Sequence, residues 1–294
     1  MRYKLLLLDI DGTLRPGSCE QIPKENAAAV RAVQKAGVKI AIATGRGRTG
    51  VGKGLLRDLK PDYWVCAGGA QLVDAKGNDL ALHRLTAEEM YALVDFFEDY
   101  ELPLRFTFHD ANYAYIDFAE FDRREKAKNL YNNIVDGEDQ DRHLIDMPHS
   151  AFAAVPPEHV ADFMAKYGHL NLNWMQVGAK NADGYCFYDI VRGGMDKGVG
   201  LTDLCARLDL PLEETVAAGD SANDLSMLRT AGLGVCMDNG TEDAKAAADR
   251  VIGDVREDGL AALIEELWFG GPKAEPSGRD LGSAWAQIES AGGQ

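Results

Sequence analysis

The sequence predicts an α/β protein in which a parallel sheet, covered by helices on both faces, is interrupted by a smaller inserted α+β unit. Three observations carry that expectation. The continuous apolar runs at residues 3–8 and 38–43 read as strands buried on both faces, and the amphipathic stretch between them reads as a crossover helix. From about residue 83 to 191 the elements shorten and the regular alternation is lost. After residue 191 it returns, so the large sheet draws on two separated stretches of chain.

Taken in order, a strand at 3–8 leads through a turn to a helix at 23–36, with Pro23 suited to the first turn and Gly37 to the C-terminal cap. Strands follow at 38–43 and 63–67. Residues 71–82 turn through Asp74-Ala75-Lys76-Gly77-Asn78, which is hairpin chemistry and marks the edge of the first core segment. Thr86 with Glu89 three residues on forms a capping box that opens a helix carrying Met90, Leu93, Val94 and Phe97 on one face. Within the insert the pattern predicts strands at 104–108, 113–118, 151–155, 171–177 and 184–191, helices at 121–132 and 160–167, and a sheet with its helices on one face. Beyond it come a helix at 197–208, a strand at 215–218 and a helix at 223–230. Elements at 232–237, 241–248, 250–252 and 260–268 extend the alternation. The resulting division is a discontinuous core of 1–82 and 192–269, an insert of 83–191, and a Gly-, Ser- and Pro-rich tail at 270–294 expected to be mobile.

The composition narrows the classes of function. With 294 residues, 46% apolar and 27% charged, the chain has ample material for a folded core. Its net charge of −16 offers no basic surface for nucleic acid and repels polyanions, so a phosphate site needs a local cation, a metal or a placed Lys or Arg. The five cysteines are odd in number and widely spaced, without a Cys-x-x-Cys pair, and are expected as mostly buried thiols of a reducing compartment. No apolar run approaches the length of a bilayer span and the N-terminal run is too short for a signal peptide, so the expected location is the cytoplasm, with no membrane partner.

The chemistry gathers where apolar strands end, the place at which open α/β sheets put their ligands. Asp9-Ile10-Asp11-Gly12-Thr13-Leu14 follows the first strand directly. Two carboxylates two residues apart let one attack phosphorus while the other moves the proton of the leaving oxygen. Alone, such a segment is more often a helix cap or an acidic turn. Thr44-Gly45-Arg46 follows the second strand, and its hydroxyl and backbone amide can hold a phosphoryl oxygen, although a lone Thr there commonly caps the next helix. Arg46 is either a phosphate contact or a solvated side chain. Lys197 opens a helix after Gly193-Gly194-Met195-Asp196 and supplies the local cation. Gly219-Asp220-Ser221-Ala222-Asn223-Asp224 follows a later strand. Asp220 is a ligand candidate for magnesium, Asp224 can orient Lys197 or a metal-bound water, and Asn223 can touch the phosphate.

In their order and spacing these four segments resemble the motifs of the haloacid dehalogenase-like superfamily, and the long gap between Arg46 and Lys197 resembles the Cof-type phosphatases with a type-two cap. The resemblance covers residues 3–269. It implies a Rossmann-like core with an inserted cap domain, Asp9 as nucleophile and Asp11 as general acid and base. It further implies that Thr44, Gly45, Lys197 and Asn223 bind the phosphate, and that Asp9, Asp11 (through its backbone carbonyl) and Asp220 hold Mg2+. The implied reaction is hydrolysis of a small phosphorylated metabolite, a sugar phosphate or a phosphorylated cofactor. Gly68-Gly69-Ala70 departs from the family's common Asn-Gly-Ala.

Two other readings share the motifs. A sugar phosphomutase would return the phosphoryl group to a sugar, and a regulatory protein would bind a phosphate ligand without turning it over. Specificity is expected from the polar residues Arg105, His109, Tyr113, Tyr115 and Arg123, or from Asn173, Trp174, Gln176 and Lys180, although alternating aromatics in strands more often pack a sheet.

Overall fold

A computed structural model describes residues 2–17, 19–52, 54–127, 134–138, 141–178 and 180–274. The chain opens with β1 (Leu5–Leu8), α1 (Lys24–Lys35), β2 (Lys39–Ala43) and β3 (Tyr63–Cys66), then a hairpin of β4 (Gln71–Asp74) and β5 (Asp79–Leu82). A second run comprises α2 (Ala87–Asp99), β6 (Leu104–Thr107), β7 (Asn112–Ile116), α3 (Phe118–Ala127) and β8 (Ile134–Asp136), followed by β9 (Ser150–Val155), α4 (Pro157–Tyr167), β10 (Leu172–Val177) and β11 (Cys186–Arg192). The third run is α5 (Lys197–Leu208), β12 (Thr215–Gly219), α6 (Leu225–Thr230), β13 (Leu233–Met237), α7 (Glu242–Ala247), β14 (Arg250–Ile252) and α8 (Gly259–Ile264).

The first and third runs share one eight-stranded sheet of order β14-β13-β12-β1-β2-β3-β4-β5, parallel from β14 to β3, with the β4–β5 hairpin added antiparallel at one edge. β1 lies in its middle. Its four leucines are fully buried: Leu6 and Leu8 pack with α1 and α8, and Leu5 and Leu7 with α5 and α6. A strand covered on both faces needs apolar residues at every position, which is why this run does not alternate. β1 ends at Leu8, so whatever follows emerges at the carboxyl edge between β12 and β2.

The second run builds a six-stranded sheet of order β10-β11-β9-β6-β7-β8, antiparallel except for β7 with β8. Thr86 and Glu89 form the capping box at the start of α2, with Glu89 N donating to Thr86 Oγ1 at 3.1 Å and Thr86 N to Glu89 Oε2 at 2.7 Å. Phe96 and Phe97 of α2 and Phe163 of α4 pack with Leu104, Phe106, Ala151 and Val155 on one face. The expectation of helices on one face only is corrected by α3, whose Phe121 packs with Phe152, Ala154 and Phe187 on the other. The inward face of α3 also carries buried Arg124 and Glu125, and those charges broke up the apolar stripe that would have shown which side of the helix is buried. β8 was not anticipated, being three residues long, and the helix expected at 121–132 begins at Phe118 and lies outside the described residues after 127. The tail expected at 270–294 is described only to residue 274.

Where α3 leaves it open, that face of the second sheet turns toward the carboxyl edge of the first. Val191 and Met175 pack with Ala67 and Ala70. Gly69 has φ +97°, and a Cβ there would lie 2.0 Å from the Asp196 carbonyl oxygen. The Gly68-Gly69-Ala70 turn is therefore a seat for the segment that leads into Lys197, and only glycine allows that approach. Among the described residues no helix is long and apolar enough to cross a membrane. None of the cysteines is paired; Cys66, Cys186, Cys205 and Cys236 are buried and Cys19 is exposed.

Candidate active site

The loop after β1 is held on several sides. Asp9 N donates to Ala218 O, and Leu14 N and Arg15 N both donate to Ile10 O, each at 3.0 Å. Asn239 Nδ2 donates to Gly12 O at 2.8 Å, and Asn26 Nδ2 to Leu14 O at 3.0 Å. Gly12 has φ +97°, and a Cβ on it would lie 2.2 Å from Asp220 Oδ2, so glycine lets this loop meet the one that follows β12.

Lys197, the first residue of α5, is completely buried and spends its three donors on Asp9 Oδ1 at 2.6 Å, Asp224 Oδ1 at 2.6 Å and Asn223 Oδ1 at 3.3 Å. Asp224 is fixed from its other oxygen, which accepts the backbone N–H groups of Asp220 (2.9 Å) and Ser221 (3.0 Å). Thr13 Oγ1 donates to Asp220 Oδ1 at 3.2 Å. Carboxylate oxygens of Asp9, Asp220 and Asp224 all lie within 4.8 Å of one another. Three carboxylates thus face one ammonium in a buried site. Burial raises the Asp9 carboxyl well above the ordinary range, and the neighbouring Asp224 and Asp220 charges outweigh part of the relief that Lys197 gives. Burial and Asp224 push Asp220 up to about 7. The Lys197 ammonium is raised despite its burial, because Asp224 and Asp9 hold its charge. A cluster of hard oxygens with this excess of negative charge fits a divalent cation such as magnesium.

The Asp11 carboxylate turns away from that cluster. Arg15 binds its Oδ1 through Nε at 2.8 Å and Nη2 at 2.5 Å, and Arg46 Nη2 binds its Oδ2 at 2.9 Å. Burial alone would raise this carboxyl, but the two guanidiniums hold it below its ordinary value. Arg46 is therefore neither solvated nor idle. Thr44 is buried and accepts Arg46 N at 3.1 Å through its hydroxyl.

A cavity of about 310 Å³ opens over Asp9, Thr44, Gly45, Asp220 and Asn223, and the second sheet closes its far side with Arg105, Phe152 and Asp189. A volume of this size, near the lower end of ligand sites, suits a small metabolite. Of the nine specificity candidates only Arg105 lines it. His109 Nδ1 lies 2.8 Å from Asp79, Tyr113 donates to Asp110, Tyr115 meets His143, and Arg123 pairs with Glu120. Asn173 donates to Met195 O and Gln176 to Gly178 O, Trp174 stacks with Phe97, and Lys180 does not line the cavity. Sequence reasoning missed Arg15, Phe152 and Asp189. The Asp189 carboxyl is pushed up to about 7 by burial, against the opposing pull of Arg105, Lys197 and Arg46. No spacing signal marks Asp189, because its nearness to Gly45 exists only once the two sheets meet.

Comparison with known proteins agrees with this arrangement. A model of the haloacid dehalogenase-like hydrolases matches residues 6–264. Phosphatase YwpJ of Bacillus subtilis (strain 168) is 26% identical over 308 aligned residues, which span 90% of this chain and 99% of that one. Pyridoxal phosphate phosphatase YbhA of Escherichia coli (strain K12) is 46% identical over 76 residues, 26% of this chain and 28% of its own. Among solved structures, the HAD subclass IIB sugar phosphatase BT4131 superposes with a TM-score of 0.77 at 27% identity, covering 91% of this chain and 99% of that one. The chain belongs to the haloacid dehalogenase-like hydrolase family, as a Cof-type phosphoric monoester hydrolase.

Proposed function

We propose that the protein is a magnesium-dependent phosphatase that hydrolyses a small phosphorylated metabolite through an aspartyl phosphate on Asp9. The observation that carries this reading is the buried constellation at the end of β1, in which Lys197 fixes Asp9 beside two further carboxylates at the floor of the cavity. The carboxylates of Asp9 and Asp220 and the backbone carbonyl of Asp11 would hold magnesium, which would supply the positive charge that lets an anionic nucleophile approach a phosphate dianion.

In the first transfer an Asp9 oxygen bonds to phosphorus as the bond from phosphorus to the ester oxygen breaks, and that oxygen takes a proton from Asp11. Water then attacks phosphorus, Asp11 accepts its proton, and Asp9 departs as a free carboxylate. Thr44, the Gly45 amide and Asn223 steady the phosphoryl oxygens from the cavity wall, while Lys197, expected from the sequence to bind the phosphate, does not line the cavity and neutralises Asp9 and Asp224 from behind. Asp11 must first leave Arg15 and Arg46, which favour its ionised form, and take up from solvent the proton that it gives to the ester oxygen; the proton of the attacking water restores it in the second step. An incoming phosphate ester offers both guanidiniums another anion, so the change is an exchange of partners. Residues 83–191 act as a cap over the core of 1–82 and 192–269, closing on the ester and excluding water during the first transfer.

Phosphate release from a metabolite panel, with and without magnesium, tests this reading against Asp9→Asn. Magnesium-dependent release lost in the variant is the expected result; release that survives the substitution removes Asp9 as nucleophile. Transfer of the group to a sugar instead of water would favour a mutase.

A further inference from the structure

Gly45 and Gly47 flank Arg46 in the loop after β2, and the second sheet rests on both: a Cβ would lie 2.0 Å from Asp189 Oδ2 on the first and 2.4 Å from Thr107 Cγ2 on the second. Gly47 has φ −61° and ψ 157°, a backbone that any residue can adopt, so what glycine gives there is room. The same Cβ on Gly47 would lie 3.7 Å from His149 Nε2. His149 directly precedes β9 and is 1% exposed. Its backbone N–H donates to Thr107 O at 3.0 Å, and Leu85, in the linker that leads into the insert, donates its N–H to Pro148 O at 2.8 Å. The ring therefore lies in the seam between insert and core, beside the hinge. Neither of its nitrogens has a hydrogen-bond partner among the described residues. The charged and titratable groups near it are engaged with one another, Asp79 of β5 with His109 at 2.8 Å and Arg84 with Asp146 at 2.8 Å. The cations that flank Gly47 turn elsewhere, Arg46 to Asp11 at 2.9 Å and Arg48 onto the Trp64 ring, and Arg105 of β6 is held by Glu125 at 3.0 Å.

A buried imidazole with no partner for either nitrogen is held neutral, because its charged form needs water or an anion. Burial drives its pKa down to about 4, the pull of Asp79 and Asp146 being countered by Arg84 and His109. We propose that His149 is a positioning residue that makes closure of the insert onto the loop at 44–47 proton-sensitive, the neutral ring sealing the seam against Gly47 and the protonated ring drawing water into it. This rests on the closing of residues 83–191 in the phosphatase reading and goes beyond it. With the seam open, water reaches the ring and its pKa returns to about 6.5. The open form then binds more protons between about 4 and 6.5, so closure is fully favoured above pH 6.5 and weakens as pH falls. Thr44 and Gly45 belong to the same loop, so the seam and the phosphate site close together.

The test uses the full-length protein and two readouts. Proton NMR follows the His149 ring, assigned by its loss in His149→Phe, between about pH 8 and 5. In the unaltered protein the ring should not titrate over that range, whereas in Gly47→Leu, which wedges the seam open, it should titrate near pH 6.5. A ring that titrates near 6.5 in the unaltered protein, or that stays untitrated in Gly47→Leu, would overturn the proposal. Neither result depends on turnover. Hydrolysis of p-nitrophenyl phosphate with magnesium reads the consequence. Relative to the unaltered protein, His149→Phe should gain several-fold, up to about 10-fold, in kcat/KM as pH falls from about 7.5 to 5.5. The ester and the site aspartates titrate alike in both proteins, so their contributions cancel in the ratio. A ratio that does not change with pH would reduce His149 to packing and overturn the coupling, with the phosphatase reading left standing. Absence of hydrolysis of any ester by the unaltered protein would instead remove the phosphatase reading, and the ring titration would still decide whether the seam is proton-sensitive.

Discussion

The buried Arg105 cluster of the second sheet and the charges at the end of β1 are matched in different ways. In the second sheet Arg105 meets Glu125, Thr107 and Asn112, and Thr107 Oγ1 donates to Asn112 Oδ1 at 2.9 Å, so one cation faces one anion within a connected set of polar groups. At the end of β1, Asp9, Asp220 and Asp224 share a single ammonium. The balanced cluster is complete as it stands and fixes the shape of the cavity wall. The unbalanced one stores repulsion that a bound cation would relieve, which is the usual relation between stability and function at a reactive site.

The largest effect should come from Asp9→Asn, which removes the attacking oxygen's charge and should lower kcat by roughly 10⁴-fold in a phosphate-release assay. The contrast between the clusters is broken most directly by deleting one charge from each. Glu125→Ala leaves the Arg105 guanidinium buried without its partner and should destabilise the protein by about 3–5 kcal/mol, seen as a lower urea midpoint.

Acidity gives a further contrast. His149 is buried close to Thr107 and Gly47, and neither ring nitrogen has a hydrogen-bond partner among the described residues. Burial lowers its pKa from 6.5 to about 4. The unfolded chain therefore binds more protons in that interval, so this contribution is present above pH 6.5 and is lost as pH falls toward 4. Its full size is about 3 kcal/mol, and His149→Phe should flatten the acid limb of a melting-temperature profile.

The smallest expected change has the opposite sign. Asp220 is raised to about 7 in the folded protein, so metal-free stability falls as pH rises from about 4 to 7. At pH 8 Asp220→Asn should stabilise the metal-free protein by about 1–3 kcal/mol and abolish the stabilisation that magnesium gives the unaltered chain. A calorimetric scan with and without magnesium reads both effects; a lower melting temperature in the metal-free variant would contradict the picture of stored repulsion.

Much of the first sheet and its edge is legible in the sequence, because each functional segment directly follows an apolar strand or opens a helix. Asp9, Thr44 and Asp220 inherit their positions from Leu8, Ala43 and Gly219, and Lys197 from the start of α5. The cavity wall supplied by the second sheet is not legible in the same way. Phe152 and Asp189 sit in strands where alternation says only that they share a face, and what that face meets depends on contacts across many residues of chain. α3 was misplaced because charged residues occupy its buried side. Arg15 escaped notice because only the folded turn after Gly12 brings it back onto Asp11.

Borohydride reduction of acid-quenched protein after brief exposure to a turned-over ester, followed by peptide mass spectrometry, tests the covalent role of Asp9 most directly. An acyl phosphate at that position is converted to homoserine, so homoserine in place of Asp9, appearing only with substrate and magnesium, is the expected result. Phosphate release without any reducible intermediate at Asp9, or with one on another residue, would contradict it.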